Sequence, residues 1–249
     1  MIKNFSSSIG ELSVPQHNRH IIAILEFIET YINAFIFIYR EEYSNIKNET
    51  GITHELCSYF QSKINEHPFY FHHEDRTNPE SGQSPTVDFG VKTRVPFGKF
   101  KPRQTIFSIE AKRLPTPGSR REKEYVIGHV NSKDKYITCG GIERFKKEVH
   151  GEGLTHSAIF AYLLKEDFEY WFKQVNEWIT ELIKDDSQEI EWNESDKLTT
   201  KYFKSKSAKL ISINKRKHDS IFLYHYWLNL VNNISNDNLI DNAHIIIVE

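Results

Sequence analysis

The sequence predicts an α/β fold, in which helices lie on the faces of a small mixed central sheet and a helical addition precedes this core. Two patterns predict it: several short apolar runs have the composition of strands, and amphipathic helical patterns precede and follow them. A length of 249 residues fits one large domain. We place an N-terminal arm and helical addition in residues 1–47 and the α/β core in residues 48–249. A hydrophobic fraction of 39% excludes a disordered chain.

The N-terminal part combines a polar arm with the most apolar run of the chain. Residues 1–16 are rich in serine and predict an extended arm, and residues 20–39 are almost continuously apolar. Glu26, Glu29 and Asn33 interrupt that run, so a buried core helix is a better interpretation than a membrane span. A dimer interface is the alternative use of the same helix.

The core elements follow from local patterns. A helix that begins at Asn48 or Thr50 and ends before Pro68 precedes the first strand. We expect strands at residues 69–73, 85–91, 106–114 and 155–164, and helices at residues 140–149 and 168–183. Residues 220–231 predict a last buried strand or helix, and residues 244–248 predict an edge strand.

The run at residues 106–114 carries charge at its end. In a strand, alternate side chains share a face, so one face holds Ile106, Ser108, Glu110 and Lys112, and the other holds Phe107, Ile109 and Ala111. Charges at the end of an apolar strand cost free energy unless they are paired or bind a ligand. The run at residues 85–91 contains a single acid, Asp88, and a hairpin between the two strands would bring it beside Glu110.

Two carboxylates and a lysine at a sheet edge suit the hydrolysis of phosphodiesters. Magnesium prefers oxygen ligands and is often held by one or two carboxylates together with substrate phosphate. It lowers the pKa of water and stabilises the charge that develops on phosphorus. Lys112 would then orient or deprotonate the nucleophile, or stabilise the oxyanion.

At these residues the chain resembles the PD-(D/E)XK nuclease superfamily, which has the restriction-endonuclease-like fold. Asp88 matches the first acid of the motif, and Glu110, Ala111 and Lys112 match its E-x-K, although no proline directly precedes Asp88. Glu55 is the candidate for the glutamate that many members carry on the preceding helix. The resemblance covers roughly residues 50–230. It implies a restriction-endonuclease-like core with Mg²⁺, or Mn²⁺ as a substitute, held by Asp88, Glu110 and the Ala111 carbonyl. The alternative is a surface hairpin with an ordinary ion pair.

The distribution of charge favours a polyanionic partner more than the net charge of −2 does. Residues 92–121 contain nine Lys or Arg against one acid, and residues 197–217 contain basic residues and no acid. Basic segments beside a metal site suit contacts with phosphates. Solvated loops are the alternative, above all for the second segment. The candidates for nucleic-acid binding are Lys92, Arg94, Lys101, Arg103, Arg113, Arg120 and Arg121.

The functional hypothesis is a magnesium-dependent endonuclease with Asp88, Glu110, Lys112 and Glu55 as its catalytic residues. By analogy with the superfamily, its substrate is DNA and its context is restriction or phage defence. The alternative is a non-catalytic nucleic-acid-binding or assembly subunit that retains the nuclease fold. Two cysteines form no disulfide framework and no signal peptide is evident, so a cytoplasmic location is expected. A homodimer remains open.

Overall fold

The computed structural model of the chain describes residues 18–76, 85–97, 99–203 and 206–231. Its helices are α1 (Arg19–Ile38, continued by a π-helical turn at Tyr39–Tyr43), α2 (Glu49–Lys63), α3 (Gly141–Lys146) and α4 (Phe168–Ile183), with a 3₁₀ turn at Glu194–Asp196. Its strands are β1 (Phe69–Arg76), β2 (Thr86–Thr93), β3 (Thr105–Leu114), β4 (His129–Val130), β5 (Tyr136–Ile137), β6 (His156–Leu163), β7 (Thr199–Phe203), β8 (Ser207–Lys215) and β9 (Ser220–Asn229). The arm predicted at residues 1–16 and the strand predicted at residues 244–248 lie outside the described residues.

Seven strands form one mixed sheet in the order β1-β2-β3-β6-β9-β8-β7, and β4 and β5 form a separate two-stranded ribbon. The central strands β3, β6 and β9 are parallel, and the outer pairs are antiparallel. This arrangement confirms the α/β class and the mixed sheet. It also settles the alternative at residues 220–231, which form a strand rather than a helix.

Helix α2 begins where the sequence places a cap. The side chain of Asn48 accepts a hydrogen bond from Gly51 N at 2.7 Å, so Asn48 rather than Thr50 caps the helix. Helix α4 begins in the same way, because the carboxylate of Asp167 accepts from Tyr170 N at 2.8 Å. These caps fix the start of each helix and therefore the direction in which its side chains point.

Two apolar clusters cover the two faces of the sheet. The first joins α1 and α2 to the sheet and includes Phe27, Phe60, Phe89 and Phe160. The second joins α3 and α4 to the other face and includes Phe145, Trp171, Trp178 and Trp227. Because Ile109 and Ala111 belong to the first cluster, the alternate residues Glu110 and Lys112 point to the face of α3.

Helix α1 is the one described helix that is long and apolar enough to cross a membrane, judged by length and composition alone. Its apolar side is packed against the first cluster, where Ile24, Ile28 and Phe35 are completely buried. Burial of this side accounts for its apolar sequence, as predicted for a core helix.

Candidate functional site

Asp88 and Glu110 come together where β2 pairs with β3. In this antiparallel pair Phe89 lies opposite Ile109, and Gly90 lies opposite Ser108. The next pair in this register is Asp88 and Glu110. The carboxylate of Asp88 accepts a hydrogen bond from Ala111 N at 2.6 Å. The pairing therefore brings the predicted first acid directly to the E-x-K segment.

Glu110 and Lys112 lie side by side in the interior. Lys112 Nζ donates to Glu110 Oε1 at 2.6 Å, and only 1% of the Glu110 side chain and 4% of the Lys112 side chain are exposed. Strand β3 lies between β2 and β6, which explains the burial. A charged pair this deep costs desolvation free energy and needs further polar partners.

Two residues that the sequence analysis did not place beside Glu110 complete its surroundings. Arg144 Nη1 donates to Glu110 Oε1 at 2.8 Å, and His150 Nε2 lies 3.2 Å from Glu110 Oε2. Arg144 lies on α3, which approaches β3 closely because Gly141 has no side chain: a Cβ there would lie 2.8 Å from Tyr125 O and 3.4 Å from Lys112 Cγ. The glycine pair before this helix was the sequence signal for that close approach.

The helix α2 contributes Glu49 to the cluster, not Glu55. Glu49 Oε1 lies 3.8 Å from Lys112 Nζ, and Glu49 Oε2 accepts from Arg113 N at 2.9 Å. Glu49 and Glu55 are six residues apart, so they point about 120° away from each other around the helix. Glu55 is half-buried on α2, and the described contacts of the cluster do not include it. The predicted auxiliary position is therefore taken by Glu49.

The charges of the cluster shift the pKa values of its members in opposite directions. Burial and the neighbouring charge of Glu110 raise the pKa of Asp88 to about 8. Burial also opposes the ionisation of Glu110, but Lys112, His150 and Arg144 together hold the pKa of Glu110 below its ordinary value. Burial likewise disfavours the ammonium of Lys112, but Glu110, Glu49 and Asp88 outweigh it and raise the pKa of Lys112. These directions favour ionised Glu110 and Lys112 and a protonated Asp88 near neutral pH.

The donor set fits a hard divalent cation. Asp88, Glu110 and Glu49 supply carboxylate oxygens within one cluster, and the 3.2 Å contact of buried Glu110 Oε2 with His150 Nε2 does not have hydrogen-bond geometry. A second positive charge near Asp88 would favour its ionised form. Oxygen donors of this kind suit Mg²⁺ or Mn²⁺. Asp88, Glu110 and the carbonyl of Ala111 are the residues that would hold the ion.

A cleft of about 300 Å³ opens beside the cluster along the same face of β2 and β3. Its walls include Ser108, two positions before Glu110, and Gly151, which follows His150. At its base the Asp75 carboxylate binds Lys92 Nζ and Thr105 Oγ1, each at 2.7 Å. A Cβ on Gly90 would lie 2.4 Å from Asp75 Oδ2, so a glycine is needed at this position. Arg76 and Arg103 also line the cleft.

The predicted nucleic-acid contacts divide into two groups. Lys101, Arg103 and Arg120 are exposed, as phosphate contacts require, and so is Arg94, which also has a partner within the protein. The other four have partners within the protein. Lys92 binds Asp75, Arg94 Nη1 donates to Asn65 O, Arg113 Nη1 donates to Lys47 O, and Arg121 binds Glu124. The basic surface near the site is therefore smaller than the sequence suggests.

The described part of the second basic segment, residues 197–217, is not a solvated loop. It contains the antiparallel strands β7 and β8. Three of its lysines form ion pairs: Lys197 with Glu194, Lys209 with Glu29, and Lys215 with Glu191. Acidic residues elsewhere in the chain thus compensate part of this segment.

Comparisons with protein-family models, with curated proteins and with solved structures give no match for this chain.

Proposed function

We propose that the chain is a magnesium-dependent endonuclease of the PD-(D/E)XK type that hydrolyses phosphodiester bonds of DNA. The observation that carries this proposal is the convergence of Asp88, Glu110 and Lys112 on two neighbouring strands, with Glu49 beside them. The order of elements also supports it. A helix with a glutamate precedes three strands, the second with Asp88 and the third with the E-x-K, and α3 then crosses to the parallel strand β6.

In this proposal Asp88, Glu110 and the Ala111 carbonyl hold the cation, with Mn²⁺ as a substitute for Mg²⁺. When bound, the cation supplies Lewis-acid stabilisation of the phosphoryl group and makes water more acidic. Lys112 is an ammonium at neutral pH, so it donates a hydrogen bond to the oxygen that gains charge rather than acting as a base. Glu49 lies at the rim, with 29% of its side chain exposed, where it can orient a nucleophilic water.

The cleft beside the cluster would hold the polymer. Arg76 and Arg103 line it, and Lys101 is exposed on the same β2–β3 connection. Cations at these places suit the phosphates on either side of a scissile bond and fix the position of the strand without reading its sequence. DNA as the polymer, and restriction or phage defence as the context, rest on analogy with the superfamily. The two free cysteines, Cys57 and Cys139, agree with a cytoplasmic setting.

A non-catalytic nucleic-acid-binding or assembly subunit is the second candidate. It is favoured by the two protein cations on Glu110 Oε1, since Lys112 and Arg144 both donate to this atom. A carboxylate compensated in this way is stable without a metal ion. Under this alternative, substitutions in the cluster would change stability and leave the binding of nucleic acid intact.

The experiment that tests the proposal measures cleavage of plasmid DNA, single-stranded DNA and RNA with Mg²⁺, with Mn²⁺ and with chelator. Wild type is compared with Lys112→Met and with the control Lys209→Met, which removes another partly buried lysine paired with a glutamate. We expect metal-dependent cleavage that Lys112→Met lowers by about 10²–10³-fold, as for the loss of a donor to a developing oxyanion, and that Lys209→Met leaves unchanged. Absence of cleavage on every substrate, together with unaltered binding of nucleic acid, would establish the non-catalytic alternative.

A further inference from the structure

A second cluster of metal-ligand side chains lies close to α3. Glu124, His129 and Cys139 offer one oxygen, one nitrogen and one sulfur atom, and these three atoms lie within 4.8 Å of one another. Cys139 Sγ is 3.2 Å from His129 Nδ1, and His129 Nδ1 is 4.0 Å from Glu124 Oε2. We propose that this cluster binds a zinc-class transition-metal ion.

The spacing of the donors fits tetrahedral coordination. With a Zn–S bond of about 2.3 Å and a Zn–N bond of about 2.0 Å, two ligand atoms at the tetrahedral angle lie about 3.5 Å apart. The Cys139–His129 separation of 3.2 Å is close to this value, and the His129–Glu124 separation of 4.0 Å requires a small side-chain movement. Three protein ligands leave a fourth position for water or another donor.

The backbone around the cluster is organised without a metal ion. His129 on β4 pairs with Ile137 on β5, which brings the chain back toward Cys139. Gly141 N donates to Glu124 O at 2.9 Å, and Gly128 N donates to the Glu143 carboxylate at 2.9 Å. The three ligands therefore come from one short segment that is already folded on itself, so ordering this backbone adds little entropic cost to metal binding.

Glu124 has a partner that a metal ion would have to share. Arg121 binds both carboxylate oxygens of Glu124, and its contact with Oε1 measures 2.8 Å. The Arg121 side chain is 42% exposed, so it can release Oε2 toward His129 and keep its contact with Oε1. Only 5% of the Glu124 side chain is exposed, so the charge of the metal ion would have to replace the compensation that the released contact supplies.

The donor set selects a different ion from the one proposed at Asp88 and Glu110. Thiolate and imidazole favour zinc and other late transition metals, whereas the all-oxygen cluster favours magnesium. The two sites are neighbours, since α3 begins directly after Cys139 and carries Arg144 to Glu110. A metal ion here would therefore fix the segment that positions Arg144, and its binding does not depend on the proposed nuclease activity.

The test uses the full chain, treated with chelator and reductant and then titrated with Co²⁺. We expect one equivalent of cobalt to give the charge-transfer absorption of a cobalt–thiolate bond, and Zn²⁺ to displace it. Cys139→Ser should abolish this band, and His129→Ala should weaken the binding of cobalt at least tenfold. Cys57→Ala, which removes the other buried cysteine, should leave the band unchanged.

If the ligand variants fold poorly, a second measurement tests the site with all three proposed ligands in place. In native Cys57→Ala protein, Zn²⁺ should slow the alkylation of Cys139. A wild-type protein without a thiolate band, or a band that persists in Cys139→Ser, overturns the proposal. Asp88→Asn should keep the band while it loses the proposed cleavage, so failure of one proposed site is distinguishable from failure of the other.

Discussion

Two buried charge clusters lie around α3, and they are satisfied to different degrees. In the first, Lys146 Nζ donates to both Asp196 oxygens, at 2.7 and 2.6 Å. The same carboxylate also accepts from Asn193 N at 2.8 Å and from Asn214 Nδ2 at 3.1 Å. In the second, Glu110 Oε1 has two cationic donors, whereas Oε2 lies 3.2 Å from His150 Nε2 without hydrogen-bond geometry.

The difference separates a structural ion pair from a candidate site. The Lys146–Asp196 cluster is closed, with both side chains almost completely buried and both oxygens satisfied. The Glu110 cluster contains three carboxylates and opens to solvent through Glu49 and Arg144. A buried oxygen without a well-formed hydrogen bond costs free energy, so a ligand that satisfies Glu110 Oε2 better than the His150 contact is favoured. This is the physical reason to assign function to the second cluster only.

The largest difference between the two clusters is expected when the central carboxylate of each is replaced by its neutral amide. Glu110→Gln should reduce cleavage to background, because it removes a proposed metal ligand. Asp196→Asn should keep the cleavage rate per folded molecule. It should lower the free energy of unfolding by about 3–5 kcal/mol, since it leaves Lys146 buried without a counter-ion. Cleavage assays and urea denaturation of both variants check these outcomes.

Loss of cleavage in Asp196→Asn at a temperature where the variant is folded would contradict the proposal that only the Glu110 cluster is functional. Full activity of Glu110→Gln would contradict it as well. Circular dichroism at the assay temperature shows whether each variant is folded before its activity is compared.

The next effect concerns two glutamates of one helix. Glu49→Gln should lower the rate of cleavage about 10–100-fold, the range found when a residue that supports a metal site is replaced. Glu55→Gln is the matched control and should leave the rate unchanged, because Glu55 points away from Lys112. Initial rates at saturating Mg²⁺ measure both effects. An equal loss in the two variants would mean that α2 acts through its packing and not through Glu49.

Local patterns predicted much of the fold. The strands around Asp88 and Glu110 and the helix at residues 168–183 follow from periods of two and 3.6, which depend on neighbouring residues alone. The same locality explains why Asp88, Glu110 and Lys112 were found, since they belong to two consecutive strands that pair. The segment at residues 220–231 was ambiguous because a short, almost continuous apolar run does not show whether the period is that of a strand or of a helix; β9 lies inside the sheet, between β6 and β8.

The parts of the site that sequence did not predict depend on distant contacts. Arg144 and His150 reach Glu110 only after the chain has crossed from β3 through the β4–β5 ribbon to α3. Lys146, on the same helix as Arg144, is buried against Asp196 because α3 turns that side toward β8. Glu49 was missed because the register of α2 against β3 decides which glutamate points to Lys112. The periodicity of a sequence does not predict contacts between residues that are distant in that sequence.

A smaller effect is the pH dependence of metal affinity. Because burial and Glu110 raise the pKa of Asp88 to about 8, a cation must displace a proton from Asp88 below that pH. The affinity for Mg²⁺ should therefore rise about tenfold per pH unit up to pH 8 and level off above it. Calorimetric titration with Mg²⁺ between pH 6 and pH 9 measures this slope. Asp88→Asn should bind Mg²⁺ weakly at every pH, and a pH-independent affinity in wild type would contradict the role of Asp88.

The smallest expected effect is on stability without divalent cations, where the two clusters should respond in opposite directions. The folded-state pKa of Asp88 is raised, so its contribution to stability is full below its unfolded pKa of about 4 and is lost as the pH rises toward 8. Asp88→Asn stays neutral and keeps its acceptor for Ala111 N. It should therefore be more stable than wild type at pH 8, by about 1–3 kcal/mol, with the difference vanishing near pH 4. Burial raises the pKa of Asp196 as well, but Asp196→Asn leaves the ammonium of Lys146 buried without a counter-ion, so this variant should be less stable than wild type at pH 8. Urea denaturation at pH 4, 6 and 8 with chelator measures both, and a destabilised Asp88→Asn at pH 8 would show that the Asp88 carboxylate is structural, like that of Asp196.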